Sequence, residues 1–187
     1  EEPIDYFINN AGFGLKEDFL KDDFCNQSQM IKLHIEALTM LTHFAANRMI
    51  ARNRGNIINV SSMAAYMPLP RSPLYSATKG YINILTESLY PQLKLSGVNI
   101  QSLCPGFTKT DFHSRLELDI KKLKKNIFIK WMEADKVAEL SLKNMKKVIY
   151  VPGICNKIIV FVLKRIPKRI YYKFATYLSK EYKKMGK

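Results

Sequence analysis

Short apolar runs alternate along the chain with longer segments whose apolar residues recur at helical spacing. Four of the short runs cover residues 4–9, 56–62, 98–106 and 147–153, and each ends in Gly, Pro, Asn or Ser. Apolar runs of this length, closed by turn-forming residues, are typical of buried β-strands. The pattern therefore predicts four strands, each leading directly into a loop.

The intervening segments are long enough to form helices of three or more turns. Ser28 is a candidate N-cap and Gly55 a candidate stop for the first predicted helix. Pro73 suits the first position of a second helix, which is expected to end near Ser96. A third helix is predicted over residues 134–146, and the rest of the chain is also expected to be helical.

Strands that alternate with helices predict an α/β fold in which helices cover both faces of a parallel sheet. Residues 1–153 are assigned to this domain, and residues 154–187 to a basic, amphipathic helical extension. In such sheets, ligands bind beyond the carboxyl ends of the strands. The loops at residues 9–12, 61–65 and 105–110 each follow a predicted strand, so all three are expected along one edge of the sheet.

Charge is distributed unevenly along the 187 residues. Residues 1–114 carry 10 basic and 10 acidic side chains, whereas residues 115–187 carry 20 and 6 and so hold the whole net charge of +14. No recognised nucleic-acid-binding motif accompanies this charge, which argues against a nucleic-acid partner. The three Cys lie far apart, without metal-ligand spacing, as expected of a protein in the reducing cytoplasm.

The pattern Tyr-x-x-x-Lys occurs twice, at Tyr75 with Lys79 and at Tyr90 with Lys94. Residues four apart share one face of a helix, so a Lys ammonium in either pair could act on the Tyr phenol. With 23 Lys and 10 Tyr in the chain, about one such pair is expected by chance. Tyr90 and Lys94 are interpreted as a partly buried ring and a solvated amine.

Ser62 distinguishes the first pair from the second. It lies 13 residues before Tyr75, at the end of a predicted strand, whereas Ala77 occupies the same offset from Tyr90. The motifs NNAG, NVSS, YSATK and PGFTKT follow one another in the chain, and the second and third contain these residues. Together they resemble the short-chain dehydrogenase/reductase family, and the resemblance implies a Rossmann-like sheet.

The resemblance implies an oxidoreductase that interconverts a small-molecule carbonyl and an alcohol with NAD or NADP, NADP being mildly favoured. Tyr75 would exchange the proton, Ser62 would bind the substrate oxygen, and Lys79 would hold the nicotinamide ribose. Lys79 is also expected to lower the pKa of Tyr75. A cation about 5 Å away, at an effective dielectric of about 20, contributes roughly 3 kcal/mol, or about two pKa units.

Two loops are expected to hold the cofactor, by the same resemblance. Small residues in NNAG would let the backbone approach the adenosine half, and PGFTKT would pass close to the nicotinamide. The residues assigned to the cofactor are Asn9, Ala11, Gly12, Pro105, Gly106 and Thr110, in addition to Tyr75 and Lys79.

The sequence departs from the family pattern in two places. His34 stands where family members carry a catalytic Asn. It either takes part in proton transfer or is a helix histidine that forms hydrogen bonds within the protein and has no catalytic part. A Gly-rich phosphate loop and three strands, about 80 residues, are expected before residue 1. The chain is therefore interpreted as a fragment that is inactive alone, and the alternative function is an inactive remnant acting as a binding or scaffold module.

The C-terminal extension is aromatic as well as basic. Its apolar side chains recur at helical spacing with Lys and Arg between them, at Ile170, Tyr171, Phe174, Tyr177, Leu178 and Tyr182. Such a face suits packing on the catalytic domain or on a partner in a homo-oligomer, and it equally suits peripheral contact with an anionic membrane. The extension resembles the DltE-like bacterial subgroup, and residues 111–131 are expected to wall a partly apolar substrate pocket.

Overall fold

The structure, a computed structural model, describes residues 2–70, 72–112 and 130–185, without the side chains of residues 178 and 181–185. Its centre is a parallel four-stranded sheet, in the order β1 (Tyr6–Asn9), β2 (Gly55–Val60), β3 (Val98–Leu103) and β6 (Ile149–Tyr150). The four predicted strands are confirmed. Because β1, β2 and β3 run in the same direction, the loops that follow them lie at one edge, as expected.

A second, smaller sheet was not predicted. It consists of β4 (Thr108–Lys109) and β5 (Met132–Glu133), which pair in parallel and are joined by an ion pair between Lys109 and Glu133. Strands of two residues are too short to give a periodic sequence signal. The pair connects the loop after β3 to the helix that follows β5.

The first predicted helix is longer and less regular than its apolar pattern indicated. It begins as α1 (Phe24–Ile31), continues as a π-helical segment (Lys32–Ala37) and ends as α2 (Leu38–Ile50). The π-helical turns change the direction of the side chains within an otherwise continuous helix. Segments of this kind are frequent at functional sites, and this one carries His34.

Both predicted boundaries of this helix were wrong. The N-cap is Asp23 rather than Ser28, because a side-chain oxygen of Asp23 accepts a hydrogen bond from the Cys25 amide at 2.9 Å. The chain reverses at Asn53, which has a φ of 51°, and Gly55 is already the first residue of β2. Asn tolerates the left-handed conformation, so it ends the turn where glycine was expected.

The remaining helices follow the predicted order as α3 (Pro73–Leu95), α4 (Ala134–Lys143), α5 (Ile154–Leu163) and α6 (Lys168–Met185). Pro73 occupies the first turn of α3, as predicted, and the helix continues through Pro91 to its end.

The two faces of the sheet bury separate clusters. Ile57, Val98 and Ile100 pack with residues of α2 and α3 on one face, and Ile58 and Leu103 pack against α4 on the other. This alternation follows from the two-residue period of a strand. Helices on both faces, over a parallel sheet, make the fold Rossmann-like.

β1 lies at the edge of the sheet. Within the described residues it pairs with β2 alone, and Tyr6 and Ile8 are about half exposed, at 50% and 52%. Its Phe7 side chain packs against the α2 and α3 cluster instead. One face of β1 is therefore covered by helices, and the opposite face is largely open.

The C-terminal extension begins at α5, which packs through Val160 against Cys104 and Val151. Helix α6 lies beside the loop that follows Ser62, where the hydroxyl of Tyr171 donates to the Pro68 carbonyl. Across the described ranges, no helix combines the length and the apolar character that spanning a bilayer requires.

Candidate active site

Ser62, Tyr75 and Lys79 come together at the carboxyl edge of the sheet. Ser62 follows β2, and the other two residues lie in the first two turns of α3. The Lys79 Nζ lies 5.7 Å from the centroid of the Tyr75 ring, and the Ser62 hydroxyl is near enough to the Tyr75 phenol to oppose the rise of its pKa on burial. The structure thus brings together the three residues that the sequence singled out.

The Ser62 side chain is held by the turn that it caps. Its Oγ accepts a hydrogen bond from the Ala64 amide at 3.1 Å, at the start of the 3-10 turn Met63–Tyr66. The neighbouring serine serves the framework, because the Ser61 hydroxyl donates to the Lys79 carbonyl at 2.8 Å. Strand β2 and helix α3 are therefore linked directly beside the site.

Lys79 is a buried cation held by a main-chain oxygen. Its side chain is 5% exposed, and its Nζ donates to the Val60 carbonyl at 2.9 Å. Burial lowers the pKa of this ammonium from 10.5 to about 8. Because an ammonium has three N–H groups, Lys79 retains donors for a ligand.

Burial also governs the acidity of Tyr75. Loss of hydration raises the pKa of its phenol, and the hydrogen bond with Ser62 opposes part of that rise. The expected lowering of this pKa by Lys79 is wrong for the structure as it stands. The ammonium lies over the ring and donates to Val60, so it stabilises the main-chain carbonyl rather than a phenolate.

His34 is fully buried between the NNAG loop and α3. Its Nε2 accepts a hydrogen bond from the Phe13 amide at 3.1 Å, so the ring proton lies on Nδ1, which is 3.0 Å from the Thr78 hydroxyl. Thr78 in turn donates to the Tyr75 carbonyl. Burial, followed by the charge of Lys79, lowers the pKa of His34 to about 3, so the ring is neutral.

The contacts of His34 are those of a residue that positions its neighbours. Both ring nitrogens are bound within the protein, and the Tyr75 ring lies edge-on at 6.0 Å. A part in proton transfer remains a prediction. Thr78, which the sequence did not single out, completes this arrangement from inside the YSATK motif.

Gly12 is required by the close approach of the NNAG loop to this histidine. A Cβ on Gly12 would lie 2.9 Å from the His34 Nε2 and 3.5 Å from the Lys79 Nζ. The Asn9 amide nitrogen donates to Thr42 and to Asn59. Asn9 therefore ties β1 to β2 and α2, and the cofactor contacts expected of Asn9 and Ala11 remain predictions.

The PGFTKT loop is packed just as closely. A Cβ on Gly106 would lie 2.8 Å from the Asn156 Nδ2 and 2.9 Å from the Met63 sulfur. Asn156 is buried and donates to the Pro152 carbonyl at 2.8 Å. It was not predicted, because Gly106, which it contacts, lies 50 residues away in the sequence.

Two other residues of this loop differ in their surroundings: Pro105 contacts the protein, and Thr110 is exposed to solvent. The Pro105 carbonyl accepts from the Met63 amide, which holds the loop against the Ser62 turn. Thr110 is exposed, and its hydroxyl accepts from the Phe112 amide at 3.3 Å.

The predicted substrate wall, residues 111–131, lies mostly outside the described residues. At its described ends, the Phe112 ring is 5.8 Å from the Tyr75 ring, and the Trp131 ring is 5.2 Å from that of Phe107. A narrow cleft also opens beside Tyr75, lined in part by Leu15, Phe19, Met30 and Leu74. The cleft is lined mostly by apolar side chains, with Glu17 and Ser72 as its polar members.

The second Tyr-x-x-x-Lys pair takes no part in this site. Tyr90 is a partly buried ring against the core, and Lys94 is exposed, as predicted. Tyr90 lies fifteen residues beyond Tyr75 on the same helix, roughly 22 Å along its axis.

Comparison of the sequence with known proteins identifies a family. The sequence profile of the family described as short chain dehydrogenase matches residues 2–121. Gluconate 5-dehydrogenase from Gluconobacter oxydans is 32% identical over 120 residues, which cover 63% of this chain and 46% of the relative. Very-long-chain 3-oxoacyl-CoA reductase from Rattus norvegicus is 28% identical over 175 residues, or 91% and 53%. The chain spans about half the length of these curated relatives.

Solved structures share the fold. A short-chain dehydrogenase from Sphingobium yanoikuyae in complex with NADPH matches with a TM-score of 0.72 at 24% identity, covering 88% of this chain and 66% of that one. A 7beta-hydroxysteroid dehydrogenase matches with a TM-score of 0.81 at 19% identity, covering 92% and 67%.

Proposed function

Because the chain belongs to the short-chain dehydrogenase family, we propose that it carries the catalytic half of an NAD(P)(H)-dependent oxidoreductase that interconverts a carbonyl and an alcohol. The observation that carries the proposal is the convergence of Ser62, Tyr75 and Lys79 at the carboxyl edge of the sheet. Tyr90 and Lys94 have the same spacing in the sequence but converge on nothing comparable.

Each of the three side chains has a role that its surroundings support. Tyr75 is a neutral phenol beside an apolar cleft, so it can donate a proton to a carbonyl oxygen and take one back from an alcohol. The Ser62 hydroxyl, fixed by the Ala64 amide, can bind that oxygen where negative charge develops. Lys79 provides a buried positive charge that favours this negative charge.

The residues present fit a nicotinamide nucleotide. When bound, that cofactor supplies the hydride that accompanies the proton. Lys79 retains N–H donors that suit ribose hydroxyls, and Gly12 brings the NNAG backbone close to the same ammonium. Bound NADPH in the Sphingobium yanoikuyae enzyme supports NADP as the cofactor. NAD is the alternative cofactor in this proposal.

The Phe112 ring and the apolar side chains of the cleft beside Tyr75 favour a substrate with an apolar portion. The rat very-long-chain 3-oxoacyl-CoA reductase, similar over 91% of this chain, supports the same class of carbonyl compound. Membership of the DltE-like subgroup, cytoplasmic location and homo-oligomer formation remain predictions. Contact with a membrane is a separate proposal, because its support lies on the surface of α5 and α6.

The test is nucleotide oxidation by the protein expressed from its complete reading frame. NADPH and NADH are each offered with aldehydes and ketones that range from short and polar to long and apolar. We expect NADPH oxidation with formation of the alcohol. Ser62→Ala should lower turnover about 100-fold or more, whereas Ser96→Ala, roughly 30 Å along α3 from Tyr75, should not.

Residues 1–187 alone are expected to be much less active, because their sequence contains no Gly-rich phosphate-binding fingerprint. If the complete protein binds the nucleotide but reduces no carbonyl compound, or if Ser62→Ala keeps full turnover, the proposal is wrong. In the first of these cases, the inactive binding or scaffold module would be the better description.

A further inference from the structure

Among its described side chains, helix α6 rests on the protein along a single stripe. Tyr171, Ala175 and Ser179 are half-buried, and their spacing of four places them on one face of the helix. The Tyr171 hydroxyl donates to the Pro68 carbonyl from this face. The contact fixes which side of α6 points away from the protein.

The outward side of α6 carries an apolar stripe beside a basic one. Ile170, Phe174 and Tyr177 are 60%, 56% and 60% exposed, and they follow one another at helical spacing. At 100° per residue, the exposed Arg169, Lys173 and Lys180 form the neighbouring stripe. Large apolar side chains are thus held out of the protein, directly next to cations.

Helix α5 also has one face buried against the protein and one exposed apolar face. Its Asn156 and Val160 side chains are buried against the catalytic domain. Ile154, Ile158 and Phe161 lie on the outer side and are exposed, at 58% for Ile158 and 57% for Phe161. Only four residues, 164–167, separate α5 from α6, and three of them are Lys164, Arg165 and Pro167.

The net charge of this extension indicates which kind of partner could bind its exposed face. Residues 154–187 contain ten Lys and Arg and one acidic residue, so they carry a net charge of +9. A second copy of the same face would bring two such charges together. A nucleic acid would neutralise the cations but leave the apolar stripe in water. An anionic bilayer satisfies both stripes at once.

We propose that α5 and α6 form a docking surface for a bilayer that contains anionic lipid. The exposed apolar side chains of the two helices, Ile158 and Phe161 on α5 and Ile170, Phe174 and Tyr177 on α6, enter the boundary between headgroups and acyl chains. The basic stripe lies among the headgroups. The tie between Tyr171 and Pro68 then keeps the loop that follows Ser62 next to the membrane surface.

The experiment is co-sedimentation of the complete protein with vesicles. Phosphatidylcholine vesicles with added phosphatidylserine should bind it, pure phosphatidylcholine vesicles should bind about tenfold less, and high salt should release it. Phe174→Ser with Tyr177→Ser should reduce binding about tenfold. The matched control is Ile84→Ser with Leu95→Ser, which removes exposed apolar groups from α3 and should leave binding unchanged.

Charge is tested in the same way. Arg169→Gln with Lys173→Gln should weaken vesicle binding, whereas Lys32→Gln with Lys94→Gln, exposed cations elsewhere, should not. Three results would overturn the proposal: equal binding to both kinds of vesicle, an unaltered affinity in the Phe174 and Tyr177 variant, or a dimer in solution that this variant dissociates. Single-stranded RNA provides a further test. If RNA releases the protein from the vesicles, and the Phe174→Ser, Tyr177→Ser variant binds RNA as well as the wild type does, the surface is a general polyanion site and the proposal is overturned.

Discussion

At the scale of single residues, Lys79 is the most costly group of the site. Its ammonium is buried against a carbonyl, which is a weaker partner for a cation than a carboxylate. The lowered pKa, about 8, is the measure of that cost. Residues that are kept at the expense of stability are common at functional sites, where activity requires them.

Replacing Lys79 by Met should therefore stabilise the fold at neutral pH. The shift from 10.5 to about 8 corresponds to a cost of about 3 kcal/mol in the charged form. Removing the buried charge would recover this free energy, but losing the hydrogen bond to the Val60 carbonyl would cost about 1–2 kcal/mol. We expect Lys79→Met to raise the free energy of unfolding at pH 7 by about 1–2 kcal/mol, measured by urea denaturation.

The pH dependence has a definite sign. Below pH 8 the folded and unfolded states both carry the proton, so the cost is fully present. Between pH 8 and 10.5 the folded state loses its proton first, so wild-type stability rises and the advantage of Lys79→Met disappears. Lys94→Met, at an exposed position, should change stability by less than about 0.5 kcal/mol. A Lys79→Met protein that is less stable than wild type by the same amount at every pH would contradict this account.

At the scale of elements, the loop after β3 and the start of α5 are joined by Asn156. This side chain fills the space that a Cβ on Gly106 would need, and it holds the Pro152 carbonyl. The C-terminal extension is thus packed directly on the loop assigned to the nicotinamide. The apolar pattern predicted both elements, but it could not predict a contact made by one buried polar side chain.

Gly106→Ala should disrupt this junction. The added methyl group would lie within 2.9 Å of Asn156 and Met63, so we expect a loss of about 1–3 kcal/mol in the free energy of unfolding. Gly80→Ala is the matched control, because its Cβ would meet nothing closer than the Ala65 carbonyl at 4.0 Å, inside helix α3. That change should stabilise the protein by up to about 1 kcal/mol. If Gly106→Ala unfolds at the same urea concentration as the wild type, Asn156 and Met63 can move aside without loss of stability, and this prediction is wrong.

At the scale of the whole molecule, the sequence predicted the sheet and the proximity of Ser62, Tyr75 and Lys79. Parallel strands buried on both faces leave continuous apolar runs, and the 13-residue offset between Ser62 and Tyr75 is visible without coordinates. The π-helical segment was missed because its apolar spacing resembles that of an α-helix. The N-cap was misplaced because Ser28 and Asp23 are equally good caps by type.

Burial was the property that the sequence could not supply. The pKa values of Tyr75, Lys79 and His34 depend on how far each is removed from water, and spacing along a helix gives only their proximity. The outward stripe of α6 is a similar case. Its periodicity was visible, but its exposure depended on the contact between Tyr171 and Pro68.

Tyr75 is proposed to carry the proton transfer, and the two Tyr-x-x-x-Lys pairs on α3 allow a matched measurement of this role. Turnover and nucleotide affinity are measured for Tyr75→Phe and Tyr90→Phe in the complete protein, because each change removes one hydroxyl and little volume. We expect Tyr75→Phe to lower turnover about 100-fold or more with nucleotide affinity and folding intact, and Tyr90→Phe to change turnover less than about threefold. Equal losses in the two variants, or a Tyr75→Phe enzyme with wild-type turnover, would contradict this role of Tyr75.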